Sequence, residues 1–473
     1  MNAPVVSAAG KIFEHRVPVV IVGGGACGLV AALSARDAGA DVLVLERDPL
    51  PQGSTALSSG MIPACGTAEQ AVKGIEDSVA VMSADILAKA HGETDRRIVE
   101  AVCRESGPAV NWLSERHGID LTLVEGFLYP GHSRLRMHAP ASRSGAELIG
   151  ALARAVEAAG IPILTDARVT TLFAGQDGHL RGLSFVRPNE TEETVGCGAL
   201  ILACNGFGGN PEMVARLIPE MAGAMYFGHR GNQGDAVVWG QALGAAMADL
   251  ASYQGHGSVA HPHGILVSWA LMMEGGVQVN ALGRRFSNEH DGYSEQGRRV
   301  IAQPGGVAWD VYDERLHRLG MEFEDYRQAQ AAGAIREGNT PAELAGACGL
   351  PEAALAQTLS EAAACADGKA VDAFGRDFAA KPPLAPPYRA IKVTGALFHT
   401  QGGLVVDEHA RVLRGNGTAF PNLFAGGGAA RGVSGPSDWG YLSGNGLLTA
   451  VSLGRIAGRE AASIYKSSND EVI

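Results

Sequence analysis

Residues 17–22 form an unbroken apolar run, Val17-Pro18-Val19-Val20-Ile21-Val22, that enters the glycine-rich turn Gly23-Gly24-Gly25-Ala26-Cys27-Gly28. A short apolar run bounded by glycines predicts a buried parallel strand. Residues 29–38 are rich in Ala and Leu and predict a helix. Residues 41–46, Asp41-Val42-Leu43-Val44-Leu45-Glu46, predict a second strand with an acid at its end. This is a βαβ unit. Residues 80–117 and 144–159 read as largely helical, and 161–185 as the strands of a meander. Residues 199–203 form another buried strand, running into Asn205-Gly206-Phe207-Gly208-Gly209-Asn210. From about residue 251 to 400 this rhythm stops. Helices are predicted there over 312–330 and 341–366, followed by the proline-rich connector 381–387. Strand–glycine–helix logic then returns at 402–407 and 422–428, and a helix of roughly 20 residues starting near Gly446 closes the chain. The predicted class is α/β. A Rossmann-like dinucleotide-binding domain (parallel sheet plus β-meander) is built from residues 18–250 and 401–473. An α+β capping domain is inserted at 251–400, and residues 1–17 are an N-terminal extension.

Composition narrows the class. The chain has 473 residues, 46% hydrophobic and 19% charged, which suits a globular protein with a large core. Its 64 glycines fall in short clusters, as expected where backbone must approach a large ligand at several points. A net charge of -12 argues against a nucleic-acid partner, and the pairs Arg284-Arg285 and Arg298-Arg299 read as solvated surface. Seven scattered cysteines, with no CxxC pair, give no metal or disulfide framework and fit a reducing cytoplasm. Residues 1–17 are not expected to be a signal peptide, and no apolar stretch of roughly 18 residues predicts a membrane span.

The glycine turn sets backbone N–H groups and a helix N-terminus against a pyrophosphate. Gly23 allows the tight turn, Gly25 the close approach, and Gly28 the packing of helix on strand, with Ala26 and Cys27 opening the helix. Glu46 lies 18 residues after Gly28, where a carboxylate binds ribose hydroxyls, and Arg47 follows it. The turn alone says dinucleotide. More distant segments point to FAD, because only a dinucleotide with a large tricyclic head reaches them all. These are Ser54, Thr55, Ser58, Ser59 and Gly60 in the Ser/Gly segment 53–60, and Val169 in the meander. Ala203, Asn205 and Gly206 follow the 199–203 strand, and Gly427 and Gly428 follow the last strand. Ser443, Asn445, Gly446, Leu447 and Leu448 lie at the start of the final helix.

Taken together, these segments resemble the flavoprotein family of soluble fumarate reductases and 3-ketosteroid Δ1-dehydrogenases, over nearly the whole chain from Pro18 to Ala462. Further segments carrying the resemblance are 133–140, 202–210, Gly234-Asp235, 275–280, 285–289 and 453–462. The resemblance implies an FAD domain with an inserted cap and the substrate between cap and flavin. The family's covalent flavin-linking histidine pattern is not evident, which implies non-covalent FAD.

The family divides at its catalytic positions. Fumarate reductases carry a proton-donating arginine four residues after the Asn-Glu pair, where this chain has Tyr293. They carry a second arginine before the glycine segment of the last helix, where this chain has Tyr441. Their Thr–Glu pair is replaced here by Ser268-Trp269. Two tyrosines at these places resemble the ketosteroid dehydrogenase branch. There one tyrosine takes a proton from carbon, and the other donates to a ketone oxygen with a backbone N–H four residues on, here Asn445. This chain reads Tyr441-Leu442-Ser443-Gly444-Asn445 where that branch usually has Tyr-Pro-Gly.

The implied chemistry is dehydrogenation of a cyclic ketone, either a 3-ketosteroid or a single-ring oxocyclohexane carboxylate. Donors at the carbonyl oxygen acidify the α C–H. Tyr293 takes that proton, and the β carbon gives a hydride to flavin N5. Because a tyrosine of pKa ~10 is a poor base near neutrality, its pKa must be lowered or its proton passed on. His399 matches the family's substrate-carbonyl histidine. Tyr129, Trp269 and Trp439 are expected to face the pocket, with packing as the alternative for each. His256, His261 and His263 lack the Cys or acid that would complete a tetrahedral set, so no metal is expected. Expected partners are the ketone and an unidentified electron acceptor. Two alternatives remain: a reductase of an activated C=C, and an electron-transfer flavoprotein without its own substrate.

Overall fold

A computed structural model describes residues 4–378 and 381–470, without the side chains of 465–470. The first layer is a nine-stranded sheet. Its parallel centre runs Ile163–Leu164, Val42–Leu45, Arg16–Val22, Glu192–Leu202, Ala419–Ala425. Register aligns Val22 with Leu45 and with Leu202, and Leu202 with Ala425. The four strands therefore end at one level, and the residues that follow them (Gly23, Glu46, Ala203, Gly426) form a single rim. Open α/β sheets bind ligands at this carboxyl edge.

The 11-residue strand Glu192–Leu202 pairs with three neighbours, Arg16–Val22 among them. Its first half pairs antiparallel with Leu180–Val186, which pairs with Arg168–Ala174 to complete the meander. Its last three residues pair parallel with Leu423, Phe424 and Ala425. Because all of Val19–Val22 and Leu200–Leu202 are buried, these stretches read as continuous apolar runs instead of alternating ones. The helix Ala26–Asp37 lies against the closing helix Asn445–Asp470, where the Ser34 hydroxyl donates to the Arg455 carbonyl across 2.7 Å.

The second layer is a seven-stranded sheet centred on Tyr388–Thr400. Tyr253–Ala260 and Val307–Asp313 flank it, both antiparallel. Thirteen residues long, the central strand ends at the FAD-rim side and delivers His399 there.

The structure departs from the sequence reading in three places. Of the predicted extension 1–17, the described residues 4–17 do not run free: Val5–Ser7 pairs parallel with Leu172–Ala174 as an edge strand, and Phe13 is buried against Phe173. Residues 312–330 are not one helix. They are the end of the strand Val307–Asp313 and two short helices, Glu314–Gly320 and Glu324–Ala331. Pairing along Val307–Asp313 with Tyr388–Thr400 overrides local propensity. The cap sheet also recruits Met225–Tyr226, from before residue 251, onto Tyr388–Thr400. Among the described residues no helix is long and apolar enough to cross a membrane.

Candidate active site

Between the two sheets lies a cleft enclosing about 1760 Å³ of empty space, its mouth included. Its lining runs from Gly23 and Glu46 at one end to Tyr293 and Tyr441 at the other.

At one end the rim residues converge. The helix Ala26–Asp37 begins at Gly25 with no side-chain cap, so the donors of its first turn face the cleft. Only glycine fits at 28: a Cβ there would stand 1.9 Å from the Gly23 carbonyl oxygen. Thr55 closes over the turn, its hydroxyl accepting from the Ala26 N–H at 3.1 Å. The Glu46 carboxylate accepts N–H groups from Gly24 (2.7 Å) and Asp48 (3.0 Å), and burial holds its pKa above the usual carboxylate range. Arg47 donates to the Gly231 carbonyl at 2.6 Å. Uncapped helix donors beside an acid at the neighbouring strand end fit the pyrophosphate and ribose of FAD. Gly23, Gly25, Ala26, Cys27, Glu46, Arg47, Ser54, Thr55, Ser58, Ser59, Val169, Ala203, Asn205, Gly427, Gly428, Gly446 and Leu447 all line the cleft.

The opposite end is aromatic and uncharged. Tyr293 and Tyr441 lie with ring centroids 6.0 Å apart, and the hydroxyls of Tyr441 and Ser443 lie near enough to that of Tyr293 to act on its protonation. The Gly446 N–H donates to the Tyr441 hydroxyl at 3.4 Å. Tyr129 stands edge-on to Tyr293, and Ser268 lines the same end of the cleft. Burial raises all three phenols, Tyr129 to about 12 and the other two further. The structure thus removes the first of the two options for Tyr293: its pKa is not lowered. His399 Nδ1 meets the Gln401 amide nitrogen at 2.8 Å, and burial pulls the ring to about 4. Gly446 admits His399, since a Cβ at 446 would stand 2.7 Å from its Nε2. Trp269 is buried, its indole N–H donating to the Glu289 carbonyl at 3.1 Å.

Several expected site residues lie elsewhere. Trp439 does not line the cleft; it stacks on His91, centroids 4.3 Å apart. Asn445 is also outside. Its N–H is spent on the Leu442 carbonyl (3.0 Å) and its amide on Ser434 (3.0 Å), so the backbone donor that reaches Tyr441 is Gly446. Gly28, Gly60, Gly206 and Leu448 pack behind the lining rather than in it. Ser443, expected at the cofactor, lines the cleft at the Tyr293 end.

The cleft also holds residues not singled out as site residues. His256 stacks on Tyr293 (4.7 Å), and its Nδ1 accepts the Ser258 N–H at 3.0 Å, which leaves the hydrogen on Nε2. Burial pulls its pKa to about 3, so the ring is neutral. His261 and His263 sit at the outer end of that hairpin, away from the cleft. Phe398 stacks on both His256 and Phe227. A strand's period of two was the available signal: His256 and Gln254 share one face of Tyr253–Ala260, and Gln401 and His399 share a face of the central strand's end.

A family model for an FAD binding domain matches residues 18–447. The chain is 30% identical over 447 residues to a probable fumarate reductase of Shewanella frigidimarina, covering 94% of this chain and 74% of that protein. It is 29% identical over 393 residues to 4-oxocyclohex-2-ene-1-carboxylate 5-dehydrogenase of Sinomonas cyclohexanicum, covering 72% of this chain and 64% of that protein. A flavocytochrome c3 fumarate reductase in an open conformation superposes with a TM-score of 0.79 at 30% identity, covering 97% of this chain and 79% of that one. A 3-ketosteroid Δ4-(5α)-dehydrogenase from Rhodococcus jostii RHA1, in complex with 4-androstene-3,17-dione, superposes with a TM-score of 0.75 at 25% identity, covering 98% and 100%.

Proposed function

The chain belongs to the FAD binding domain family, and from that premise we propose that this FAD-dependent oxidoreductase desaturates a cyclic ketone α,β to its carbonyl. The observation that carries the reading is the hydroxyl pair Tyr293–Tyr441 with the Gly446 N–H, at a cleft end whose lining includes no Lys or Arg. The two arginines that do line the cleft, Arg47 and Arg168, belong to the Glu46 end. With His256 and His399 both neutral, a dicarboxylate finds no cation there. A neutral carbonyl oxygen, by contrast, finds preorganised donors.

Tyr441 donates to the ketone oxygen, with Gly446 N–H holding its hydroxyl in place. The α C–H thereby becomes acidic, and Tyr293 receives its proton. Because Tyr293 is a neutral phenol, it releases its own proton in the same step; the neighbouring Ser443 hydroxyl relays it, taking that proton while passing its own on to solvent. FAD, when bound non-covalently, supplies the acceptor for the hydride leaving the β carbon. Phe227, Phe398, Trp269 and Leu266 exclude water from the reacting carbons. The lack of a cation favours an uncharged ring, such as a 3-ketosteroid, over an oxocyclohexane carboxylate.

A second reading, reduction of an activated C=C, is supported by the fumarate reductase relatives. An anaerobic panel separates the two. Uncharged cyclic ketones are expected to bleach the yellow chromophore, and Tyr293→Phe to abolish bleaching with FAD still bound. Bleaching by no ketone, together with reoxidation of reduced enzyme by fumarate-like acids, would overturn the desaturase reading.

A further inference from the structure

We propose that His132, just outside the cleft lining, is a positioning residue that fixes the turn holding the Ser443 hydroxyl beside Tyr293; this rests on the desaturase reading. His132 is buried, and its Nε2 lies 2.9 Å from the Ser443 carbonyl oxygen. A carbonyl oxygen only accepts, so Nε2 carries the hydrogen. The other ring nitrogen faces a donor: Arg136 Nη1 stands 3.4 Å from Nδ1, a long contact whose direction admits only an unprotonated Nδ1. The ring is therefore neutral and its tautomer set from both sides.

Arg136 is itself immobile. Its side chain is fully buried and holds Asp77 through Nε (2.9 Å) and Nη2 (3.2 Å) and Asp85 through Nη1 (2.7 Å). Asp85 also accepts the N–H and hydroxyl of Ser133, both at 2.9 Å, which pins the segment that carries His132. A rigid chain thus runs from two buried carboxylates through Arg136 and His132 to one backbone carbonyl in the Tyr441–Gly446 turn. That turn presents the Tyr441 hydroxyl, the Ser443 hydroxyl and the Gly446 N–H to the cleft. Its flexible point is Gly444, at φ +85°, immediately after the carbonyl that His132 grips. Without that grip the whole turn can shift about Gly444, and the Ser443 hydroxyl and the Gly446 N–H shift with it. Packing helps the same segment: a Cβ at Gly131 would stand 2.7 Å from Leu442 Cδ1, so the 129–136 loop lies directly on the turn. Losing about an ångström of alignment at a proton-transfer site costs up to about a hundredfold in rate.

The test uses the full-length, FAD-loaded enzyme and the single and double variants His132→Ala, Ser443→Ala and His132→Ala/Ser443→Ala, with His132→Gln as the conservative variant. The limiting rate of ketone-driven flavin bleaching should fall roughly tenfold to a hundredfold in His132→Ala at unchanged FAD content. His132→Gln, whose amide can still donate to the carbonyl, should recover most of the rate. The double variant should be no slower than Ser443→Ala alone, because the two residues act in series. Additive losses in the double variant, or a full rate in His132→Ala, would overturn the proposal. Imidazole nitrogen NMR of histidine-labelled protein reads the tautomer without any substrate. A neutral Nε2–H ring for His132 at pH 6 is expected, and an Nδ1–H or charged ring overturns the proposal even if no ketone ever proves to be a substrate.

Discussion

Replacing Tyr441 with Phe removes one oxygen and leaves the ring. The side chain is 5% exposed, and its hydroxyl accepts the Gly446 N–H. For folding, the loss is one buried hydrogen bond of long geometry, about 1 kcal/mol net. In a chain of this length that is a shift in Tm of a few °C at most. For catalysis the loss falls on a donor aimed at developing oxyanion charge, where one donor is typically worth about 10²–10³ in rate, or about 2.7–4 kcal/mol. The kinetic cost should therefore exceed the stability cost severalfold. Anaerobic stopped-flow bleaching at saturating ketone gives the limiting rate, and thermal unfolding of the same preparation gives Tm. A limiting rate within threefold of the parent enzyme would refute the assignment of Tyr441 as carbonyl donor. A rate loss matched by a comparable fall in stability or in FAD content would refute the electrostatic argument itself.

Gly28→Ala should abolish FAD retention, since its Cβ meets the Gly23 carbonyl at 1.9 Å; full flavin absorbance in purified variant protein would contradict the packing derived for this turn. Arg136→Met strands Asp77 and Asp85 in the interior and should destabilise the fold by about 3–5 kcal/mol, read by denaturant unfolding. Acid should destabilise the protein between pH 6.5 and 4. Burial lowers His132 and His399 to about 4 and His256 to about 3, so between these values and 6.5 the unfolded chain binds more protons than the folded one. Each such histidine contributes up to about 1.4 kcal/mol per pH unit, lost as pH falls through that window, and a Tm constant from pH 7 to 5 would contradict it.

The binding half of the site was legible because its determinants are local. A strand of consecutive apolar residues, a glycine turn and an acid at the next strand end are each set by backbone sterics and burial within about 30 residues. The final glycine segments were legible for the same reason. Less local features were misread. Residues 5–7 gave no signal of strand, because an edge strand of three residues is made by its partner, Leu172–Ala174. Residues 312 and 313, expected to begin a helix, instead end the strand Val307–Asp313, which pairing on both sides fixes.

What the chain's sequence determined by itself was therefore the FAD-binding framework and the pairing of Tyr293 with Tyr441 at motif positions. The tertiary structure decided which groups can act. Gly444 turns the backbone so that the Asn445 N–H folds back on Leu442 and Gly446 takes its place. The packing of Trp439 on His91 removes it from the cleft, while the strand Tyr253–Ala260 brings His256 in. Protonation was decided there too. A phenol's pKa depends on how much water and charge surround it, and those surroundings come from residues far apart in the chain. Burial among Tyr129, His256, Tyr441 and Ser443 keeps Tyr293 neutral, where sequence reasoning required either a lowered pKa or a route for its proton.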